Sequence, residues 1–259
     1  MNVLNRNINN IFFIFALSHL IIWVFIPSLT NKNLPLDVIE ALAWGSNLDW
    51  GFNKHPPGSA FFPEIFFQVF GSQDWAYYLL SQIFVLISFY YVFKFAYEIL
   101  RNIKLSLISV LLLESIFFYN FTSPEFNVNV CQLPFWSLVV YYSWKIYQSK
   151  EIKFLDCFLI GLFAAIGFLS KYLFIYLLIS IILLFIYLIF VKKIKKFDFK
   201  YLITLEVFLV LLVPHFIWLY NNDFITITYG LKRAGLEELR LLDHLKYPIS
   251  FLFKQIGIL

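Results

Sequence analysis

Three acidic residues (Asp37, Glu40 and Asp49) and two basic residues (Lys54 and His55) lie close together in residues 34–57, LPLDVIEALAWGSNLDWGFNKHPP. Asp37 and Glu40 are three residues apart, so a helix started by Pro35 would place both carboxylates on one face. Two such carboxylates can divide the roles of a general base and of a group that orients an acceptor hydroxyl. The alternative is that they only solvate an interfacial helix beneath neighbouring tryptophan anchors.

The same segment ends in a stiff basic corner, Lys54-His55-Pro56-Pro57. The two prolines fix their own backbone angles and restrict His55 as well. A lysine held in this way can bind a phosphate or diphosphate as a point charge. A lysine that only reaches the lipid headgroups would have the same spacing, so both readings stay open.

Three further polar residues lie within or between apolar runs. Lys171 occupies the tight turn GFLSKY, where it could either extend to the headgroups or bind a phosphate. His215 follows Pro214, which frees backbone groups as happens beside cavities, although a hydrogen-bonded core histidine is the alternative. Glu114 lies inside an apolar run and is predicted to pair with another helix.

The sequence shows no other recognisable catalytic motif. It has no His/Cys spacing typical of a metal site, no glycine-rich phosphate loop and no nucleophile elbow. A divalent metal on Asp37 or Glu40 is conceivable but not indicated, so no cofactor is expected. Cys131 and Cys157 lie in or beside apolar runs and are predicted to be packing residues.

The elements that must position these groups are membrane helices. The hydrophobic content is 61%, against about 45–50% in soluble domains, and mean hydropathy is +0.78. We predict an all-α, polytopic membrane helical bundle, forming one domain over residues 1–259. Residues 61–70 are too short to span and predict an interfacial helix. Complete spans of about the required length are predicted at residues 11–29, 75–100, 105–121, 128–147, 154–169, 172–191 and 201–220, with a shortened or re-entrant eighth at 247–259.

The distribution of lysine and arginine predicts the orientation of the bundle. Basic residues gather near Arg6 and in the loops around residues 101–104, 145–153 and 192–200, which identifies that side as cytoplasmic. Residues 34–74, 122–127, 170–171 and 221–246 then face outward. A single site at the outer membrane boundary is therefore expected. The net charge of +4 follows from these loops and does not indicate a nucleic-acid partner.

Four blocks resemble the bacterial branch of the family 39 glycosyltransferases, in the same order. They are LDVIEALAWG with LDWGFNKHPPGSAFF, then SPEFNVNVCQLPFW, then GFLSKY, then PHFIWLYNNDFITITYGLKR. These membrane-embedded GT-C enzymes are related to protein O-mannosyltransferases, to the lipid A aminoarabinose transferase and to the galacturonosyltransferases of lipopolysaccharide core. The resemblance implies transfer of a sugar from a polyprenyl-phosphate carrier to a lipid, protein or polysaccharide acceptor at the periplasmic face of the inner membrane.

The resemblance also implies roles for individual residues. Asp37 would be the family's acid in the first outer loop, acting on the acceptor or orienting the site, with Glu40 as its neighbour. Fixed cations would stabilise the carrier phosphate as it leaves, in a displacement that inverts the anomeric carbon. The residues expected to bind the substrate or the carrier phosphate are Lys54, His55, Glu125, Lys171, His215 and Arg233.

Two departures from the family pattern stand out. Many relatives carry an aspartate in the second outer loop where this chain has Asn127 and Asn129, which leaves Glu125 as the acid there. Relatives are also longer, so the chain is expected to be the N-terminal half of such an enzyme. The alternatives are a transporter or flippase of a lipid-linked substrate, and a non-catalytic membrane subunit. A transporter would more naturally show inverted repeats and paired broken helices, which the sequence lacks.

Overall fold

A computed structural model describes residues 3–235 and 242–258 of the chain, with side chains for 10–235 and 242–256. The described residues form eleven α-helices and no strand. Their bounds are α1 Val3–Thr30, α2 Leu36–Gly45, α3 Gly58–Phe70, α4 Asp74–Leu100, α5 Ile103–Glu114, α6 Val128–Gln148, α7 Phe154–Ser170, α8 Ile175–Ile186, α9 Tyr201–Asn221, α10 Ile225–Arg233 and α11 Asp243–Ile258. Short 3₁₀ helices lie at Phe117–Tyr119 and Tyr172–Phe174, and a π-helical turn at Tyr187–Val191 extends α8. The expected all-helical membrane bundle is confirmed.

Four of the described helical segments are long and apolar enough to cross a membrane. They are Asn10–Thr30, Asp74–Leu100, Tyr172–Val191 and Tyr201–Asn221, and the shorter apolar helix Phe154–Ser170 adds a fifth segment. All five match expected spans. The expected span at 128–147 corresponds to α6, which is less apolar than these five segments and is not among the four long, apolar helices. The expected count of seven spans therefore stays a prediction. The expected orientation used Arg6, and the expected eighth span ended at Leu259. Both residues lie outside the part of the chain whose side chains the structure describes.

The expected continuous span at 105–121 is two elements instead. α5 has 12 residues and ends at Glu114, and the 3₁₀ helix Phe117–Tyr119 follows it. The Asn120 side chain donates to the Glu114 carbonyl at 2.6 Å, which satisfies one of the carbonyls left open at the helix end. A polar side chain thus terminates the helix within an apolar run.

Close packing of α7 against α6 and α9 organises the bundle. A Cβ at Gly161 of α7 would lie 2.6 Å from the Thr204 carbonyl oxygen of α9, so only glycine permits this approach. Small residues at helix contacts allow this kind of packing in membranes. The approach sets Lys171, which follows α7, near the end of α9 that carries His215.

Residues 34–57 form a helix and a loop that lie over these ends. α2 begins directly after Pro35, as expected, and packs on α3. The expected interfacial helix is α3, which begins earlier, after Pro57. A Cβ at Gly58 would lie 2.9 Å from the Leu169 carbonyl oxygen, so the start of α3 rests on the end of α7. This contact brings the basic corner of residues 54–57 to Lys171.

Candidate active site

The two carboxylates of α2 have different surroundings. Asp37 lies exposed in the first turn, where the helix dipole favours an acid. Glu40, one turn later, is half-buried and forms an ion pair in which the Lys54 ammonium donates to its carboxylate. This hydrogen bond raises the pKa of Lys54 above its usual value. The Lys54 ammonium also lies 5.9 Å from the centre of the Trp44 ring.

Glu125 reaches α2 from the second outer loop. Its carboxylate accepts a hydrogen bond from the backbone N–H of Asp37 at 3.3 Å. Burial raises the pKa of Glu125, the Asp37 N–H opposes that shift, and the Asp37 charge adds to it. The site therefore holds two carboxyl groups at one helix end, one exposed and one half-buried.

His55 lies at the centre of the charged groups. Its ring packs edge-on against Trp44 with ring centres 5.9 Å apart, and its carbonyl accepts from the Phe52 N–H at 3.1 Å. Burial lowers the pKa of His55. The charged groups close enough to shift the His55 pKa further are Glu40 and Asp37, which raise it, and Lys171 and Arg233, which lower it. Residues from three other parts of the sequence, α2, Lys171 and Arg233, thus lie near this imidazole.

Lys171 is a cation with no acidic partner in the part of the chain that the structure describes. It is an extended residue between α7 and the following 3₁₀ helix, and its ammonium donates to Asn129 Oδ1 at 2.5 Å. Burial lowers the pKa of Lys171, and the nearby Arg233 charge lowers it further. Among the described residues, neither Lys171 nor Arg233 forms an ion pair with a carboxylate. An anion bound here would therefore meet positive charge that no carboxylate of the described residues neutralises.

His215 holds the loop between α2 and α3 in place. It is fully buried, with Nδ1 2.6 Å from the Trp50 carbonyl oxygen and Nε2 2.7 Å from the Tyr172 hydroxyl. Both ring nitrogens thus have protein partners, as the core-histidine alternative requires. Nearby, the Thr226 hydroxyl donates to the Phe52 carbonyl at 2.5 Å.

A second contact of the loop requires glycine. A Cβ at Gly51 would lie 2.3 Å from the Trp218 ring, so the backbone packs directly on the indole. Together with the His215 and Thr226 hydrogen bonds, this contact joins the loop to α9 and α10.

A cavity of about 590 Å³ adjoins the unpaired lysine. It lies between α4, α5 and α6, and its lining includes Asn129, the partner of Lys171. Its other polar and aromatic lining residues include Ser88, Tyr91, Tyr119, Gln132 and Trp136. A ligand with a phosphate at Lys171 would find space for its remaining part in this cavity.

Some residues of the site were not expected from the sequence. Asn129, Tyr172, Trp218 and Thr226 make contacts that place the expected residues, yet each is an ordinary helix or turn residue by sequence. Only Asn129 carried a signal, because it stands in the matched block where many relatives have an aspartate. In the described part of the chain, no three His, Cys, Asp or Glu side chains are grouped so that they could hold a metal ion.

The chain was compared with known protein families. The model of the dolichyl-phosphate-mannose-protein mannosyltransferase family matches residues 54–218, which is more than half of the chain. The matched range contains Lys54, His55, Glu125, Lys171 and His215. No match was found among curated proteins or among solved structures.

Proposed function

The chain belongs to the dolichyl-phosphate-mannose-protein mannosyltransferase family of membrane glycosyltransferases, which use polyprenyl-phosphate sugar donors, and from this membership we propose a site. Donor phosphate and acceptor meet where α2 faces Lys171 and Arg233. The acceptor is a lipid, a protein or a polysaccharide of the cell envelope. The site faces the periplasm from the inner membrane, in keeping with the lysine-rich loops at the other ends of the helices.

The observation that carries this proposal is the convergence of unpaired cations on His55. Lys171 and Arg233 lie near this imidazole and have no carboxylate partner among the described residues. In sugar transfer from a phosphate carrier, negative charge develops on the phosphate as it leaves, and fixed cations stabilise that charge. Lys54 contributes less, because Glu40 already neutralises it.

Asp37 is the residue that we assign to the acceptor. Its carboxylate is exposed and, unlike that of Glu40, forms no ion pair with a described cation. In the proposed step, the acceptor oxygen forms a bond to the anomeric carbon while the bond from that carbon to the phosphate oxygen breaks. The phosphate keeps the electron pair, and Asp37 takes the acceptor proton. Glu40 orients Lys54, and Glu125 holds the first turn of α2.

Other features of the site support this arrangement indirectly. We propose that His215, expected to bind the donor, acts by positioning the loop between α2 and α3 through Trp50. The cavity that begins at Asn129 gives the donor space beside its phosphate. No cofactor is assigned to the reaction.

A transfer assay in proteoliposomes tests the proposal. Purified chain is incubated with radiolabelled polyprenyl-phosphate sugars and envelope acceptors, and label on the acceptor is measured. We expect transfer by the wild type and none by Asp37→Asn, with both proteins equally folded. Asp49→Asn is the matched control, because Asp49 is also an exposed acid in residues 34–57, and it should retain activity. Transfer by Asp37→Asn at the wild-type rate would remove Asp37 from the mechanism.

A further inference from the structure

A second cavity runs along α8 toward the lysine-rich end of the helices. It has a volume of about 420 Å³ and is lined by α6, α7, α8 and α9. Its lining is almost entirely apolar and includes Ile146, Ile160, Leu178, Phe185 and Phe208. Asn129 of the candidate site stands in the first turn of α6, whereas Ile146 stands near its last residue. On α6 the second cavity therefore lies closer to the C-terminal end of the helix than the first.

Two residues that line this cavity carry buried hydroxyl groups with no hydrogen-bond partner in the described part of the chain. Ser143 Oγ and the Tyr201 hydroxyl are buried atoms with no hydrogen-bond partner among the described residues, and both residues line the cavity. Burying a hydroxyl without a partner is unfavourable, so a ligand that offers acceptors at this depth would bind favourably. Ser143 lies five residues before the end of α6, and Tyr201 is the first residue of α9.

A lysine-rich loop lies at the mouth of the cavity. Phe190 and Phe197 line the cavity, and the segment between them carries four lysines. Lys195 is occupied, because its ammonium donates to the Ser149 carbonyl at 2.6 Å. Lys193 and Lys196 are exposed and have no carboxylate partner among the described residues. Basic clusters beside membrane helices of this kind attract anionic lipid headgroups.

We propose that this cavity binds one anionic glycerophospholipid of the bilayer. The apolar lining takes an acyl chain, Ser143 and Tyr201 donate to the ester carbonyls, and Lys193 and Lys196 bind the headgroup phosphate. A polyprenyl phosphate has no ester carbonyls and would leave both hydroxyls without acceptors. The proposal is independent of the transferase reaction.

Native mass spectrometry of the purified full chain in detergent tests this site. The protein is mixed with equal amounts of phosphatidylglycerol and phosphatidylcholine of the same chain length. We expect the wild type to retain phosphatidylglycerol preferentially, and Lys193→Gln/Lys196→Gln to weaken that retention about tenfold. Tyr201→Phe removes only an oxygen and should weaken retention of both lipids. Lys32→Gln/Lys246→Gln removes the same charge elsewhere and should behave like the wild type.

Several results would overturn the proposal. Equal retention of the two lipids by the wild type would show that no anionic site exists. Unchanged retention in Lys193→Gln/Lys196→Gln, or an equal loss in the Lys32→Gln/Lys246→Gln control, would place the binding elsewhere. Displacement of phosphatidylglycerol by an equimolar polyprenyl phosphate would identify the cavity as a carrier site instead.

Discussion

The Glu125 carboxylate accepts a hydrogen bond at 3.3 Å from the backbone N–H of Asp37, although 88 positions separate the two residues. This bond joins the second outer loop to the first turn of α2. It also places a half-buried carboxyl beside an exposed one, and burial together with the Asp37 charge raises the pKa of Glu125. The geometry of the proposed acceptor site therefore depends on a residue far away in the sequence.

Substitutions at Glu125 test this support. Glu125→Gln keeps an acceptor for the Asp37 N–H and removes the repulsion between the two carboxylates, so the free energy of unfolding should be unchanged or slightly higher. Glu125→Ala leaves the N–H without that acceptor and should lower the free energy of unfolding by about 1 kcal/mol. Chemical denaturation in detergent measures both values. An equal loss in the two variants would show that the hydrogen bond contributes nothing.

The helical class and the main elements of the site could be predicted from sequence, because hydropathy and local spacing report on nearby residues. Pro35 indicates the start of α2, and the separation of Asp37 and Glu40 indicates that both face one side. The expected continuous helix through residues 105–121 failed for a local reason as well. The Asn120 side chain donates to the carbonyl of Glu114, the last residue of α5. Hydropathy averaged over a window of residues does not detect such a single polar contact.

The pairing of distant residues could not be predicted. Glu114 was expected to have a partner on another helix, but only the packing of α1 against α4 and α5 identifies it as His19. The contact of His215 with Trp50 spans 165 positions and depends on how the loop after α2 lies on α9. Such contacts depend on which helices pack together, and the spacing of residues in a single sequence does not indicate that.

Lys171 is expected to be the principal cation for the donor phosphate. Lys171→Gln should raise the KM for the donor about tenfold or more, because it removes a charged hydrogen-bond donor that forms no ion pair within residues 10–235 and 242–256. Steady-state kinetics with varied polyprenyl-phosphate sugar measure the change. Lys32→Gln, in an exposed position before α2, is the control and should leave the KM unaltered. An unchanged KM in Lys171→Gln would show that the donor phosphate binds elsewhere.

His55 should make stability depend on pH. Burial lowers its pKa below the usual 6.5, with Lys171 and Arg233 adding to the shift and Glu40 and Asp37 opposing it. As the pH falls below 6.5, the unfolded chain binds a proton that the folded chain does not, so stability is lost. Thermal unfolding midpoints of the wild type should therefore fall more steeply with acidification than those of His55→Gln. Parallel pH curves for the two proteins would contradict this assignment.

The contact between Gly51 and Trp218 makes a steric prediction. Gly51→Ala would place its Cβ 2.3 Å from the indole, which must move and displace the loop, at a cost of about 1–3 kcal/mol. Gly230→Ala in α10 is the matched control, because a Cβ there meets no atom within 4 Å. Alanine is the better helix former, so this control should be neutral or stabilised by up to ~1 kcal/mol. Equal midpoints for both variants would argue against the close contact.

The last prediction concerns a buried polar network that supports the second outer loop from within the bundle. His19 of α1 is 3% exposed, and its Nδ1 lies 2.9 Å from Glu114 Oε2. Its Nε2 lies 2.8 Å from Gln82 Oε1, and the Gln82 amide donates to the Ser123 hydroxyl at 3.2 Å. Ser123 precedes Glu125 by two positions, so the network reaches the loop that holds α2.

A double-mutant cycle on His19→Gln and Glu114→Gln measures this support. Each single variant removes one member of the close His19–Glu114 pair, so the two losses should overlap, with a coupling energy of about 0.5–3 kcal/mol. Pairing His19→Gln with Glu206→Gln, a substitution at an exposed position on α9, should give additive losses. Additive losses for His19 and Glu114 as well would mean that the 2.9 Å contact does not stabilise the fold. The second outer loop would then have to be held by Ser81, whose hydroxyl donates to the Ser123 carbonyl.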